Sequence, residues 1–301
     1  MTTPDRPLLA LGLRIGSAML FATMLALVKL AGESGVALPE IMFWRQAVPG
    51  PLILLYLWRR GELHRLRTQR LGSHARRAGL GTFSMIFNFG AGILLPLAVS
   101  TTLGFTTPLF AVVIAALFLR DPVGPWRWTA VVLGFLGVVV ITLPGGESLP
   151  VLGTACGLIA ALMISVINYQ IRDLGRTEEP IRTTFYFSIF GCAMAALVLP
   201  FYMTAHTPAQ WGLLLGIGTI GTVAQILLSA SLRYGAVAAV IVMDYTGLVW
   251  ATLYGWLIWD RLPPTMTWIG APLIIASGLL IVWREHVLNR RPSPTSPLDG
   301  D

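Results

Sequence analysis

An acid, two cations and a few small polar side chains interrupt stretches that are otherwise apolar, and they are the residues able to do chemistry there. Asp244 stands inside one such stretch, about 12 Å from its start at helical rise. A carboxylate in hydrocarbon is expensive enough to be a functional residue by default. It could bind a substrate ammonium or exchange a proton; the structural alternative is a partnership with a nearby donor or a cavity water. Lys29 and Arg45 are expected near the outer ends of the first two stretches, where they either draw a substrate carboxylate or snorkel to the surface. Ser84 and Asn88 lie four residues apart and share a helical face, and a shift of 141 residues places them on Gln225 and Ser229. A polar stripe repeated at one depth suits a shared central cavity, or plain interhelical hydrogen bonding. Ser165, Asn168 and Tyr169 offer further polar contacts, Ser17, Phe21 and Met24 an adaptable wall, and Trp250 an aromatic face near mid-stretch.

Other chemistries find little support. The four histidines, His64, His74, His206 and His286, fall in connections or near the ends of apolar stretches, and no HExxH or GxSxG motif occurs. An intramembrane enzyme would need clustered nucleophiles, metal ligands or paired carboxylates, so neither a catalytic residue nor a metal site nor a cofactor is expected. Gly216-x-Gly218-x-x-Gly221 matches a dinucleotide fingerprint in letters only; it sits in an apolar helix with no preceding strand and reads as close helix packing. Cys156 and Cys192 lie in apolar runs and read as reduced small hydrophobes. A sensor or scaffold would want a soluble output domain, and the largest hydrophilic segment is the tail after Val287.

The elements that must position these residues are membrane helices. With 55% hydrophobic residues and only 12% charged, the chain of 301 residues is far from a soluble domain, where charge is nearer a quarter. Ten apolar runs are long enough to cross about 30 Å of hydrocarbon: Leu8–Ala31, Ile41–Trp58, Ala78–Ala98, Thr101–Leu119, Trp128–Leu143, Val151–Ile171, Ile181–Met203, Trp211–Leu232, Ala236–Trp259 and Thr267–Trp283. They are continuous rather than alternating, which excludes a barrel. The first is too long for a cleaved signal and lacks a small-residue cleavage pattern. With both termini cytoplasmic, all of the 21 cations except Lys29, Arg45 and Arg261 fall on the inner side. Topology and anionic lipid therefore account for the net charge of +7, and nucleic acid is not an expected partner. Trp58, Trp126, Trp128, Trp211, Trp256, Trp259, Trp268 and Trp283 lie at run ends as an aromatic belt does, leaving Trp44 and Trp250.

The shift of 141 also pairs Gly12-x-x-x-Gly16 with Gly153-x-x-x-Gly157, Pro39 with Pro180 and Gly137 with Gly278. After a two-residue indel the shift is 139, and Phe105-Thr-Thr-Pro-Leu runs against Asp244-Tyr-Thr-Gly-Leu, Asp121 against Asp260. The expected architecture is all-α: a short cytoplasmic segment 1–7, a five-helix repeat 8–143, a second 151–283 and a polar tail 287–301. An odd number of helices per repeat makes the second copy inverted, an arrangement recurrent in secondary transporters.

Thr106-Thr-Pro-Leu-Phe followed by Leu119-Arg-Asp121 and Gly137 resembles one half of the EamA-type drug/metabolite transporters. Leu232-Arg-Tyr-Gly-Ala-Val-Ala-Ala followed by Asp260-Arg-Leu, Gly270 and Gly278 repeats that half-pattern. Val28-Lys29-Leu30 and Phe43-Trp44-Arg45 match the family's usual entry, and the likeness covers about residues 8–285. Within the family the chain is similar to bacterial amino acid exporters of the YddG type. Asp121 and Asp260 stand where the family commonly has Glu. The resemblance implies a carrier of the bacterial inner membrane whose cavity is lined by helices 1–4 and 6–9, with helices 5 and 10 peripheral. Its expected partners are the bilayer and a small molecule, with amino acids, including aromatic or other apolar ones, the expected substrates. An uptake carrier or a lipophilic-cation exporter of the same fold is the alternative. Among the prolines inside spans, Pro108 is a hinge or a static bend.

Overall fold

In lipid the backbone must satisfy its own hydrogen bonds, so continuous apolar runs fold as helices. The computed structural model describes residues 6–118, 120, 123–142, 149–234 and 242–289. Its α-helices are α1 (Pro7–Glu33), α2 (Leu38–Ala47), α3 (Pro49–Arg59), α4 (Leu71–Leu94), α5 (Leu97–Gly104), α6 (Thr107–Leu117), α7 (Pro125–Thr142), α8 (Val151–Leu174), α9 (Pro180–Val198), α10 (Pro208–Tyr234), α11 (Thr246–Trp259) and α12 (Thr265–Asn289). Short 3-10 turns occupy Leu63–Leu66, Leu199–Phe201 and Met243–Tyr245. Residues 1–5 and 290–301, with Asp121, Leu143 and Glu147, lie outside the described residues.

Seven segments among the described residues are long and apolar enough to cross a membrane: Pro7–Glu33, Leu97–Leu117, Pro125–Thr142, Val151–Leu174, Pro180–Phe201, Pro208–Leu232 and Thr265–Arg284. The other three expected spans fall short for visible reasons. α4 has the length but opens with His74, Arg76 and Arg77. The expected helix Ile41–Trp58 is instead two, α2 and α3, meeting at Val48 because Pro49 cannot donate to the preceding turn. The Ser188 hydroxyl bridges that break, accepting from the Gly50 N–H at 2.9 Å and donating to the Gln46 carbonyl. The expected helix from Ala236 is described only from Val242, through the 3-10 turn Met243–Tyr245 and into α11, so Asp244 lies in a 3-10 turn.

The expected run Thr101–Leu119 starts earlier, at Leu97, and divides at Phe105–Thr106 into α5 and α6. Pro108 is in the first turn of α6, where a missing N–H is no loss. The Phe105 ring meets Tyr245 edge-on at 4.8 Å, so the division in this span touches the turn before α11.

The largest interhelical contacts are α1 on α10, α7 on α12 and α4 on α8, followed by α4 on α9, α1 on α11, α2 on α9, α2 on α10 and α5 on α11. α7 and α12 approach backbone to backbone. A Cβ at Gly137 would sit 2.8 Å from the Gly270 carbonyl oxygen, and one at Gly270 would sit 2.5 Å from that of Gly137, so only glycine allows the contact. An apolar core of Met24, Val28, Ile41, Met42, Phe89, Leu214 and Ile217 joins α1, α2, α4 and α10. The outside is apolar too: Leu197, Phe201, Leu215 and Val249 are exposed, as are the belt residues Trp58, Trp126, Trp128, Trp256, Trp268 and Trp283. A surface of that kind suits lipid and not water.

Candidate functional site

The bundle has a near end, where α1 begins, and a far end, where it finishes. Ion pairs close the near end. The link between α3 and α4 is tied to the α8–α9 connection by Arg65 to Glu179 at 2.6 Å, Arg70 to Asp173 at 2.5 Å and Thr68 to Glu178 at 2.7 Å. Arg182 reaches Glu178 at 2.7 Å and donates to the Arg65 carbonyl at 2.6 Å. Within the link, Arg65 also bonds Glu62 at 2.6 Å. That hydrogen bond holds the Glu62 carboxyl below its ordinary range and raises Arg65. A second near-end contact joins Arg14 to both oxygens of Asp244, with Nε to Oδ1 at 2.5 Å. Asp244 is therefore a partnered acid, held by a bidentate guanidinium.

The far end is open. A groove of about 330 Å³ is lined by Lys29, Glu33, Leu95, Ala251, Trp259 and Arg261, among others. Lys29 does not snorkel: its ammonium donates to the carbonyls of Ile93 and Leu95 at 2.9 and 3.0 Å. Those carbonyls are free because Leu95, preceding Pro96, is extended and ends α4. Lys29 also lies 3.6 Å from Glu33 and 5.7 Å from the centre of the Trp259 ring. At the same end, Glu40 accepts from or donates to His206 at 2.5 Å, both side chains buried, with Trp211 edge-on to the imidazole. Nothing in the local sequence announces this pair, whose members are 166 residues apart.

Between the ends lies a small cavity of about 20 Å³ lined by Arg45, Gln46, Pro49, Arg77, Thr184, Phe187, Ser188, Thr222 and Gln225. Arg45 was expected near the outer surface; it is instead buried, 9% exposed, because α2 packs against α10 and α1. Its Nε donates to the Met24 thioether at 3.2 Å and Nη2 to the Gly221 carbonyl at 3.4 Å. A Cβ at Gly221 would meet Arg45 Nε at 2.5 Å, which gives the last glycine of the triplet its task. Arg77, read from sequence as one of the inner cations, stacks on Phe187 at 4.4 Å with Nε and Nη1 buried and unpartnered.

The other expected site residues are dispersed. Ser17 is buried and donates to the Ala224 carbonyl at 2.9 Å, an α1–α10 tie. Phe21 packs on the core that includes Met24. Ser84 is buried and Asn88 half-buried, neither lining the cavity that takes Gln225. Ser229 donates back to the Gln225 carbonyl at 2.9 Å. Ser165 is fully buried with its hydroxyl unpartnered, Asn168 is exposed, and Tyr169 donates to the Ala111 carbonyl at 3.0 Å. Trp250 is half-buried.

A helical bundle with an apolar exterior, one sealed end, one open end and a polar cavity between them has the form of a multi-pass membrane transporter. The EamA-like transporter family model matches residues 8–143 and again 151–283, and the chain belongs to that family. It is 28% identical over 272 residues to the pseudopaline exporter of Pseudomonas aeruginosa, covering 89% of this chain and 94% of the relative. It is 26% identical over 261 residues to a riboflavin transporter of Vibrio cholerae, covering 86% and 87%. To the S-adenosylmethionine uptake transporter of Rickettsia felis it is 26% identical over 249 residues, covering 82% and 83%. A solved crystal structure shares the fold at TM-score 0.64 and 20% identity, covering 93% of this chain and 98% of that one. These relatives are named for carrying small molecules, and none of the three names is that of an enzyme.

Proposed function

We propose that the protein is a secondary carrier working by alternating access between two inverted five-helix repeats, 8–143 and 151–283. Ten spans follow if α2 with α3, α4, and α11 with the residues before it each count as a crossing. The observation that carries the reading is the pairing of helices. Exchanging each span for the one five later turns the α1–α10 contact into α8–α4, while α7–α12, α2–α9 and α5–α11 each exchange into themselves. That exchange supports a two-fold relation between halves.

The near end is cytoplasmic on this reading, since Arg59, Arg60, Arg65, Arg67 and Arg70 cluster there and short cationic connections stay inside. The membrane is the bacterial inner membrane. On this reading the far-end groove is the outer mouth and the ion-paired near end the inner one, with the cavity between them closed. Amino acids are the proposed cargo, and export the proposed direction. The groove places an acid, Glu33, two cations, Lys29 and Arg261, and the Trp259 ring around one space, which suits a zwitterion with an apolar body. A relative named for uptake keeps import as the second reading.

Counterflow in proteoliposomes tests the proposal across amino acids, nucleotide sugars and lipophilic cations. Exchange of labelled amino acid is the expected result; no substrate-dependent flux in any class overturns the carrier. Asp244→Asn in the same assay is expected to slow exchange by weakening the latch to Arg14. A wild-type rate would remove the pair from the cycle.

A further inference from the structure

We propose that Arg45 and Arg77 form a buried subsite for an anionic group, a carboxylate on an organic substrate, in the cavity between the two ends. The proposal rests on the carrier reading and names a chemical class for part of its cargo.

Several cations that leave the aqueous surface meet a carboxylate: Arg14 meets Asp244, Lys29 meets Glu33, and Arg182 meets Glu178. Arg45 and Arg77 meet none among the described residues. Arg45 is nine-tenths buried, and its acceptors are a thioether and, through one long bond, a carbonyl. A guanidinium carries five donors in a planar fork, so most of that capacity is unused. Arg77 has a ring face and two orphaned N–H groups. Two undersatisfied guanidinia lining one intramembrane cavity are costly, and a protein keeps such groups where a ligand completes them.

The rest of the lining fits a carboxylate. Thr222 and Gln225 add polar groups from α10, and Phe187 adds an apolar wall. A guanidinium pairs with carboxylate oxygens through two parallel bonds, the strongest contact available to it. At about 20 Å³ the cavity has room for a water and not for a substrate, so this state is closed around the site. Pro49 lines it, and the α2–α3 break held by Ser188 lies beside it.

The test uses the full-length protein purified in detergent, with thermal unfolding read against increasing benzoate, benzamide and benzylamine. Benzoate is expected to raise the midpoint saturably while the neutral and cationic counterparts do not. Arg45→Gln and Arg77→Gln should each weaken benzoate by about ten- to a hundredfold. Arg45→Lys and Arg77→Lys should restore part of the loss, since charge returns without the fork. Benzamide acting as strongly as benzoate, no response to benzoate, or a response untouched by either Gln variant overturns the subsite. If a Gln variant does not fold, the wild-type contrast between benzoate and benzamide decides. The two proposals fail separately. Flux confined to uncharged or cationic compounds, unchanged in Arg77→Gln, sinks the subsite and leaves the carrier. Arginine-dependent benzoate binding without flux of any compound does the reverse.

Discussion

The Arg14 region and the Arg45–Arg77 region place the same chemical group in the same bundle and treat it in opposite ways. Arg14 gives its fork to both oxygens of Asp244, and the charge is neutralised within the protein. Arg45 and Arg77 are given a thioether, a distant carbonyl and an aromatic face. The first arrangement holds two helical segments together; the second waits for charge from outside. The difference teaches that burial of a cation alone says little about its task, and that its partner decides.

Removing the partner from the neutralised site should do the most damage. Asp244→Asn leaves Arg14 unpaired, and thermal unfolding should show a loss of about 2 kcal/mol. That is less than the cost of breaking a fully buried pair, because the Asp244 side chain is 41% exposed. Crowding the other site comes next: Gly221→Val would press on the Arg45 guanidinium and Met24, costing about 1–3 kcal/mol by the same measurement. Arg45→Met should move stability the opposite way by about 1 kcal/mol, since it abandons no buried counter-charge. A loss comparable with Asp244→Asn would mean that Arg45 has a structural partner after all, and the contrast would collapse. Ser188→Ala removes the bridge at the α2–α3 break and should cost about 1 kcal/mol in unfolding assays.

Acid should produce the smallest effect. Glu62 titrates below the ordinary carboxylate range when folded, so its link to Arg65 contributes above that range and is lost as pH falls through the lowered value. Unfolding midpoints should therefore hold from neutral pH down to about 5 and decline only below about 4. An earlier decline would show that another near-end group governs the latch.

Much of the frame was legible in the sequence because a membrane imposes it. Apolar run length gave the helices, and the clustered cations marked one end. The glycine triplet at Gly216, Gly218 and Gly221 was read as close packing, and a Cβ at Gly218 would sit 2.8 Å from the Trp44 carbonyl oxygen. What could not be read was partnership. Periodicity assigns a residue to a face of its helix but not to a neighbour 230 positions away, which is the separation of Arg14 and Asp244. Arg77 was grouped with the inner cations because charge clustering is blind to which side of α4 points inward. Arg45 reads as near the outer surface because the apolar run is counted from Ile41, whereas α2 begins at Leu38 and packs Arg45 against α1 and α10. The polar stripe from Ser84 to Asn88 was sought as a mirror of Gln225 and Ser229, and only Gln225 lines the central cavity.

The contact between Phe105 and Tyr245 carries a mechanical consequence. Each ring sits at a discontinuity, one at the α5–α6 division and the other in the turn before α11. A Cβ at Gly278 would lie 2.0 Å from the Tyr245 hydroxyl oxygen, so α12 confines that ring from behind. Two of the discontinuities among the described residues thus lean on one another like the leaves of a door hung on a single pin. A bend at one would press on the other through that edge-on contact.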